Sequence, residues 1–168
     1  MEISNNNRIL NHDEIVHKIR RIAYQIYEHN VNEASVVLAG IDKNGFLLAE
    51  RLQAVLSEIS PIKPVLCRVY INKRKPLDPI TTSVAPELYT NQSVVLIDDV
   101  LNSGTTLAYG VRHFLNVPLK QFKTAVLVNR NHKKYPVKAD FKGISLSTSL
   151  HEHVSVNLEN DQLEATLA

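Results

Sequence analysis

The 168-residue sequence contains a single cysteine, Cys67. One thiol cannot build an internal disulfide or a cysteine-rich zinc site, so the expected compartment is reducing, the cytoplasm. No apolar run approaches the ~20 residues that a membrane span needs. The stretch from Met1 to Arg8 lacks the basic-then-apolar order of an export signal, so membrane insertion and export are both disfavoured. Neither sign of charge dominates: Lys and Arg total 19 against 17 Asp and Glu, a formal net charge of +2. That balance excludes a wholesale polyanion binder and an acidic tail protein. Internal repeats, low-complexity tracts and interdomain linkers are missing as well. With 44% hydrophobic and 21% charged residues, disorder is excluded and one domain over residues 1–168 is expected.

A local absence carries more functional content. Between Val100 and Ala139 there is no acid, while Arg112, Lys120, Lys123, Arg130, Lys133, Lys134 and Lys138 all fall there. A second acid-free stretch, Ile59 to Leu77, holds Lys63, Arg68, Lys73, Arg74 and Lys75. Beyond Lys142 the pattern inverts, with acids and no Lys or Arg. Any phosphate or nucleic-acid affinity is therefore local. Solvated helix faces and a polar tail account equally for most of these residues taken singly.

Hydrophobic periodicity orders the chain into alternating elements. Asn11 with Glu14 forms a capping pattern, and Ile15, Ile19, Ile22, Ala23 and Ile26 recur at helical spacing up to Asn30. Ser35 to Ile41 is a short continuous apolar run, the signature of a strand covered on both faces. After the turn Asp42-Lys43-Asn44-Gly45, helical spacing returns over residues 45–58. Pro64 to Ile71, Val94 to Ile97 and Thr124 to Val128 read as further strands, and a helix starts after Gly104. Val154, Val156 and Leu158 alternate as a terminal strand, with the last residues expected to fray. Strands alternating with helices imply an α/β fold with a parallel sheet. Asn72 to Asn91 shows no periodicity and is long for a compact connection, which predicts a mobile functional loop.

Chemistry concentrates in Val94-Val95-Leu96-Ile97-Asp98-Asp99-Val100-Leu101-Asn102-Ser103-Gly104-Thr105-Thr106. A buried strand delivers two carboxylates to the sheet end where ligands bind. A polar loop then opens a helix, whose first N–H groups form an anion site, and the hydroxyls of Ser103, Thr105 and Thr106 add donors. Acids beside a phosphate cradle suit a ligand that also offers hydroxyl donors or develops positive charge. A ribosyl phosphate does both. As alternatives, the acids and hydroxyls are turn and N-cap residues, or the acid pair is that of a receiver-type phosphorylation domain. The latter places its acids near the chain start and lacks the Ser-Gly-Thr-Thr continuation.

That stretch closely resembles the phosphoribosyl-pyrophosphate (PRPP) motif of type I phosphoribosyltransferases. The resemblance runs from about Ile9 to Leu158 and narrows to the bifunctional pyrimidine-operon attenuator and uracil phosphoribosyltransferase group. It is carried by Val37-Leu38-Ala39-Gly40-Ile41, Ala49-Glu50-Arg51-Leu52, Ala125 to His132, Pro136 to Phe141, Gly143 and Ser147-Thr148-Ser149. It implies a parallel sheet flanked by helices with a small hood built from the C-terminal strands. It implies that Asp98 and Asp99 engage the ribose diol and act catalytically, and that Asn102, Ser103, Gly104, Thr105 and Thr106 hold the 5-phosphate. Pyrophosphate falls to Lys43, Asn44, Gly45 and Arg74. Mg²⁺ is the implied cofactor, held by diol and pyrophosphate oxygens rather than by direct protein ligation. The expected partners are PRPP with a nucleobase, or UMP, in a homo-oligomer, a dimer.

The departures from the family pattern matter too. Asn44 stands where the family carries a pyrophosphate-binding arginine; an amide lacks that charge and forked geometry, and Lys43 is the neighbouring substitute. A plain strand-to-helix turn is the alternative there. Arg74 matches a family arginine, but Lys75 and Pro76 replace the acids that follow it. Ile144 replaces a lysine and Ser147 a proline in the segment Gly143 to Ser147, expected to belong to the hood, which weakens the case for uracil recognition there. Asn102 replaces the acid that purine-specific relatives use as a base, which points away from purines.

The expected activity is transfer of ribose 5-phosphate from PRPP to a nucleobase, uracil foremost. The alternative is a uridine-nucleotide-responsive RNA-binding regulator of pyrimidine genes with little catalysis. Its RNA candidates are Arg20, Arg21, Arg130, His132, Lys133, Lys134 and Lys138, each equally readable as part of an exposed basic face. His151 and His153 share a strand face, and two ligands make only a weak zinc site.

Overall fold

The computed structural model describes residues 7–149 and 152–168, so His151 lies outside the described residues. A short strand, β1 (Arg8–Leu10), leads into helix α1 (His12–Glu28). The Asn11 side chain accepts from the Glu14 N–H, and the Glu14 carboxylate accepts in return from the Asn11 N–H. This reciprocal cap sets the start of the helix, as the sequence predicts. There follow β2 (Ser35–Ile41), α2 (Asn44–Ile59), β3 (Lys63–Tyr70), β4 (Thr81–Thr82), α3 (Pro86–Tyr89) and β5 (Ser93–Leu101). The chain closes with α4 (Thr105–Phe114), β6 (Gln121–Arg130), β7 (Phe141–Leu146), β8 (Val154–Asn157) and β9 (Glu164–Leu167).

Six strands form the main sheet in the order β4-β3-β2-β5-β6-β7. All its pairings are parallel except β3 with the short edge strand β4. Successive residues of β2 and β5 serve opposite faces. Val36, Leu38, Val95 and Ile97 join one apolar layer with α1 and α2. Val37, Ala39, Val94 and Leu96 join the other, with Leu107 and Phe114 of α4. Burial on both faces is why these strands read as unbroken apolar runs. Each fully buried Leu or Ile contributes about 1.5–3 kcal/mol of transfer free energy, which makes the two layers the main source of cohesion.

Five expectations need correction. The segment Asn72 to Asn91 is not a bare loop: Thr82 pairs with Val69, and Tyr89 is buried edge-on against Phe114 at 4.9 Å. The strand carrying the acids runs on to Leu101, so Asp98 and Asp99 sit within β5 rather than beyond it. The hood is a separate sheet in the order β1-β9-β8, so it recruits the N-terminal strand, and the last residues pair rather than fray. Gly143 to Leu146 belongs to β7 at the edge of the main sheet, not to the hood, with Ile144 beside Val128. No helix among the described residues is long and apolar enough to cross a membrane.

Candidate active site

Between the C-terminal end of β5 and the hood lies a cavity of about 390 Å³. Asp98 to Thr106 line it from the sheet, and His153 to Val156 line it from the hood. A second hollow of about 420 Å³ adjoins it, sharing Asn44, Lys73, Asp99 and Val156, with Lys43 and Glu159 on its wall.

The acid pair is asymmetric. Asp98 is buried, 4% exposed, and its Oδ1 accepts from the Asp99 N–H at 2.9 Å. Burial, with the charge of Asp99 next, holds its carboxyl well above the ordinary carboxylate range, against the opposing pull of Lys73. The Lys73 ammonium stands 3.7 Å from Asp98 Oδ1. Asp99 is only partly buried, and its Oδ2 accepts from Asn44 Nδ2 at 3.0 Å. The same Asn44 amide also donates to the Val156 carbonyl at 3.0 Å. Asn44 thus pins the hood to the turn after β2 through the two hydrogens of one amide group.

The loop after β5 is shaped for close approach. Gly104 has φ +88°, a conformation that L side chains rarely adopt. A Cβ there would also lie 2.7 Å from a Val137 methyl. The Ser103 and Thr105 hydroxyls share a hydrogen bond of 2.8 Å. The Ser103 carbonyl accepts from the N–H groups of Lys134 at 2.7 Å and Tyr135 at 3.2 Å. α4 then begins at Thr105 with its first-turn N–H groups lacking intrahelical acceptors. Dipole and donors together make this rim a site for an anion.

The turn Asp42 to Gly45 lies against β5, with a cis peptide between Asp42 and Lys43. A Cβ on Gly45 would fall 2.5 Å from the Ile97 carbonyl oxygen and 3.0 Å from Asp98 Cα. Only glycine allows α2 to start this close to the acid-bearing strand. Asp42 Oδ1 accepts from Arg68 Nε at 2.8 Å, and Lys43 pairs with Glu159.

The structure therefore brings together Lys43, Asn44, Asp98, Asp99 and Asn102 to Thr106, with Gly45 holding the turn in place. Arg74 is not among the residues lining either hollow; it is exposed, and its N–H donates to Asn72 Oδ1 at 3.1 Å. Lys73, its neighbour, takes that place. The acid-free run of bases marks this loop, but nothing in the run distinguishes Lys73 from Arg74. Among the described residues no group of three or more His, Cys, Asp or Glu could hold a metal by itself.

The RNA candidates separate. Lys133, Lys134 and Lys138 are exposed. Arg21 donates to the carbonyls of Lys142 at 3.0 Å and Gly143 at 2.6 Å, tying α1 to β7. Arg130 is 7% exposed, so it is an interior brace and not part of the basic surface. Its guanidinium donates to Asn102 Oδ1 at 2.9 Å, Thr148 Oγ1 at 3.0 Å and the carbonyls of Ser149 at 3.2 Å and Glu152 at 2.7 Å. His132 is likewise engaged, with the Thr148 carbonyl and hydroxyl. Sequence counts Arg130 as a surface charge because its neutral partners lie on distant segments.

The chain belongs to the phosphoribosyl transferase family, whose domain matches residues 5–161. Within it the chain is 34% identical over 164 residues to the Bifunctional protein PyrR of Chloroflexus aurantiacus, covering 93% of this chain and 90% of that one. It is 35% identical over 161 residues to the Bifunctional protein PyrR of Fusobacterium nucleatum, covering 90% of each. Solved structures share the fold. A hypoxanthine-guanine phosphoribosyltransferase from Bacillus anthracis superposes with TM-score 0.77 at 17% identity over 99% of both chains. The hypoxanthine phosphoribosyltransferase of Trypanosoma cruzi gives 0.78 at 14% over 95% of both. The type I fold and the resemblance read from the sequence both hold.

Proposed function

We propose that the chain transfers ribose 5-phosphate from PRPP to uracil, releasing UMP and pyrophosphate. The observation that carries this reading is that the acid pair of β5 and the Ser103 to Thr106 loop face one cavity. Asp98 and Asp99 accept hydrogen bonds from the ribose diol and stabilise positive charge developing at the anomeric carbon. The hydroxyls and N–H groups of Ser103 to Thr106 hold the 5-phosphate. Asn102 does not titrate, so it orients a neighbouring group rather than removing a proton. The adjoining hollow, with Lys43 and Asn44, receives the pyrophosphate.

The acid pair fits a hard divalent cation only with added ligand oxygens, since the described residues supply no complete ligand set. Asp98 and Asp99 would stand beside a Mg²⁺ held mainly by substrate oxygens, and the ion would supply charge neutralisation for the departing pyrophosphate. A homodimer in the cytoplasm is part of the same reading.

The test is pyrophosphate release with PRPP, Mg²⁺ and a panel of bases. Uracil as the preferred acceptor supports the reading; release with a purine alone moves the chain to purine transfer. No release with any base removes the enzymatic claim.

One observation favours an additional RNA-binding role. The exposed lysines at 133 and 134 sit on a segment whose main chain is tied to Ser103. Nucleotide in the phosphate loop thereby bears on a basic surface, whose phosphate contacts would be salt-dependent. Salt-titrated binding to pyrimidine-gene leader RNA, with and without UMP, tests it. Absence of a salt-sensitive, UMP-modulated complex sinks this role alone.

A further inference from the structure

Lys73 is the one side chain of the Asn72 to Asn91 segment that lines both hollows of the site. Its ammonium lies 3.7 Å from Asp98 Oδ1, with the lysine side chain 47% exposed and the aspartate 6%. A carboxylate this deeply buried is costly without a counter-charge. The ribose diol competes for the same carboxylate, offering neutral donors where Lys73 offers a charge.

The adjoining hollow has a charge problem of its own. Its wall carries Lys43 and Lys73 against Asp99 and Glu159, and Lys43 is already paired with Glu159. Without Lys73 the acids there outnumber the bases, an unfavourable surrounding for a pyrophosphate group. A lysine on a four-carbon stem can serve either position, because its ammonium is a point charge with no fixed fork geometry.

Resting on the phosphoribosyl-transfer reading, we propose that Lys73 is a partner-exchanging substrate residue. In the free protein it neutralises Asp98; when the donor's diol takes its place, it moves onto the donor's pyrophosphate. The device discriminates donor from product. PRPP displaces Lys73 from Asp98 and gives it a new anionic partner. UMP presents the same diol and 5-phosphate but no pyrophosphate, so it displaces Lys73 and returns nothing. Lys73 therefore favours the donor and disfavours retention of the nucleotide.

The experiment is calorimetric titration of PRPP, with Mg²⁺, and separately of UMP into the full chain, into Lys73→Gln and into Lys73→Arg. Lys73 lies on an exposed turn, so neither substitution disturbs the core. In Lys73→Gln, PRPP binding weakens roughly tenfold or more, the scale of one charged hydrogen bond. UMP binding tightens roughly threefold, the scale of a partly exposed ion pair. Lys73→Arg keeps most of the PRPP affinity. A residue that merely shapes the loop would move both ligands in the same direction. Equal weakening of both, no change in either, or tighter PRPP binding by Lys73→Gln overturns the exchange. If the unsubstituted chain binds neither ligand, the phosphoribosyl-transfer reading falls and the exchange with it.

Discussion

Arg130 and Asn102 are joined across the base of the site by a hydrogen bond of 2.9 Å from Nη1 to Oδ1. The same guanidinium holds Thr148, Ser149 and Glu152, the stretch that leads into hood strand β8. One buried side chain thus fixes the phosphate loop and the approach to the hood relative to each other.

Arg130→Ala leaves Asn102 Oδ1 and the Glu152 carbonyl without this donor, while Thr148 Oγ1 keeps His132 and the Ser149 carbonyl keeps the Glu152 N–H. The expected cost is about 2–4 kcal/mol in urea denaturation, since buried acceptors lose their full desolvation compensation. UMP affinity falls with it, and the salt slope of RNA binding stays unchanged. A changed slope with intact stability would return Arg130 to the surface.

Asp98 has a pH signature with a definite sign. Its carboxyl is raised in the folded chain by burial, then by Asp99. The folded state therefore binds this proton more tightly than the unfolded state. The group's stabilisation is complete below the ordinary carboxylate range and is lost as pH rises through its raised value. Asp98→Asn removes that loss while keeping the shape. Above neutral pH the variant melts higher than the parent, with the gap closing in acid. Turnover disappears. A variant that melts below the parent at every pH would contradict this, and would mean that the ion pair with Lys73 outweighs the burial of the carboxyl.

Gly104→Ala places a side chain at φ +88° and 2.7 Å from Val137. The strain costs about 1–3 kcal/mol, and the shifted loop loses its grip on phosphate. The ratio of UMP to uridine affinity collapses, measured by competition. An unchanged ratio would move the 5-phosphate elsewhere.

Cys67 is fully buried, and desolvation pushes its thiol up to about 11. At pH 8 the native thiol stays unmodified by iodoacetamide and reacts once denaturant unfolds the chain. With one cysteine in the sequence, labelling reports global unfolding. Rapid labelling of the native chain would mean that the β3 region opens locally.

Much of this was legible locally. The α1 cap, β2 and the start of α4 follow from side chains near each other in sequence. The sequence pattern ends strand β5 four residues early at its C-terminal end because buried strands end without alternation to mark them, and Asp98-Asp99 reads as the start of a turn. The hood was misplaced because β1 meets β9 through pairs such as Arg8 with Thr166, a contact no local pattern encodes. Of the candidate site, the acids and the phosphate loop lie in one contiguous motif, which is legible in the sequence. Lys73 and the brace at Arg130 depend on which way a loop lysine or a strand arginine points, which tertiary packing decides.

Crystallography of the chain with UMP shows most directly where a ribosyl phosphate sits. The expected result is the nucleotide's diol on Asp98 and Asp99, its phosphate on the N–H groups and hydroxyls of Ser103 to Thr106, and Lys73 withdrawn from Asp98. Nucleotide bound elsewhere, or Lys73 still beside Asp98 at saturating UMP, would contradict it.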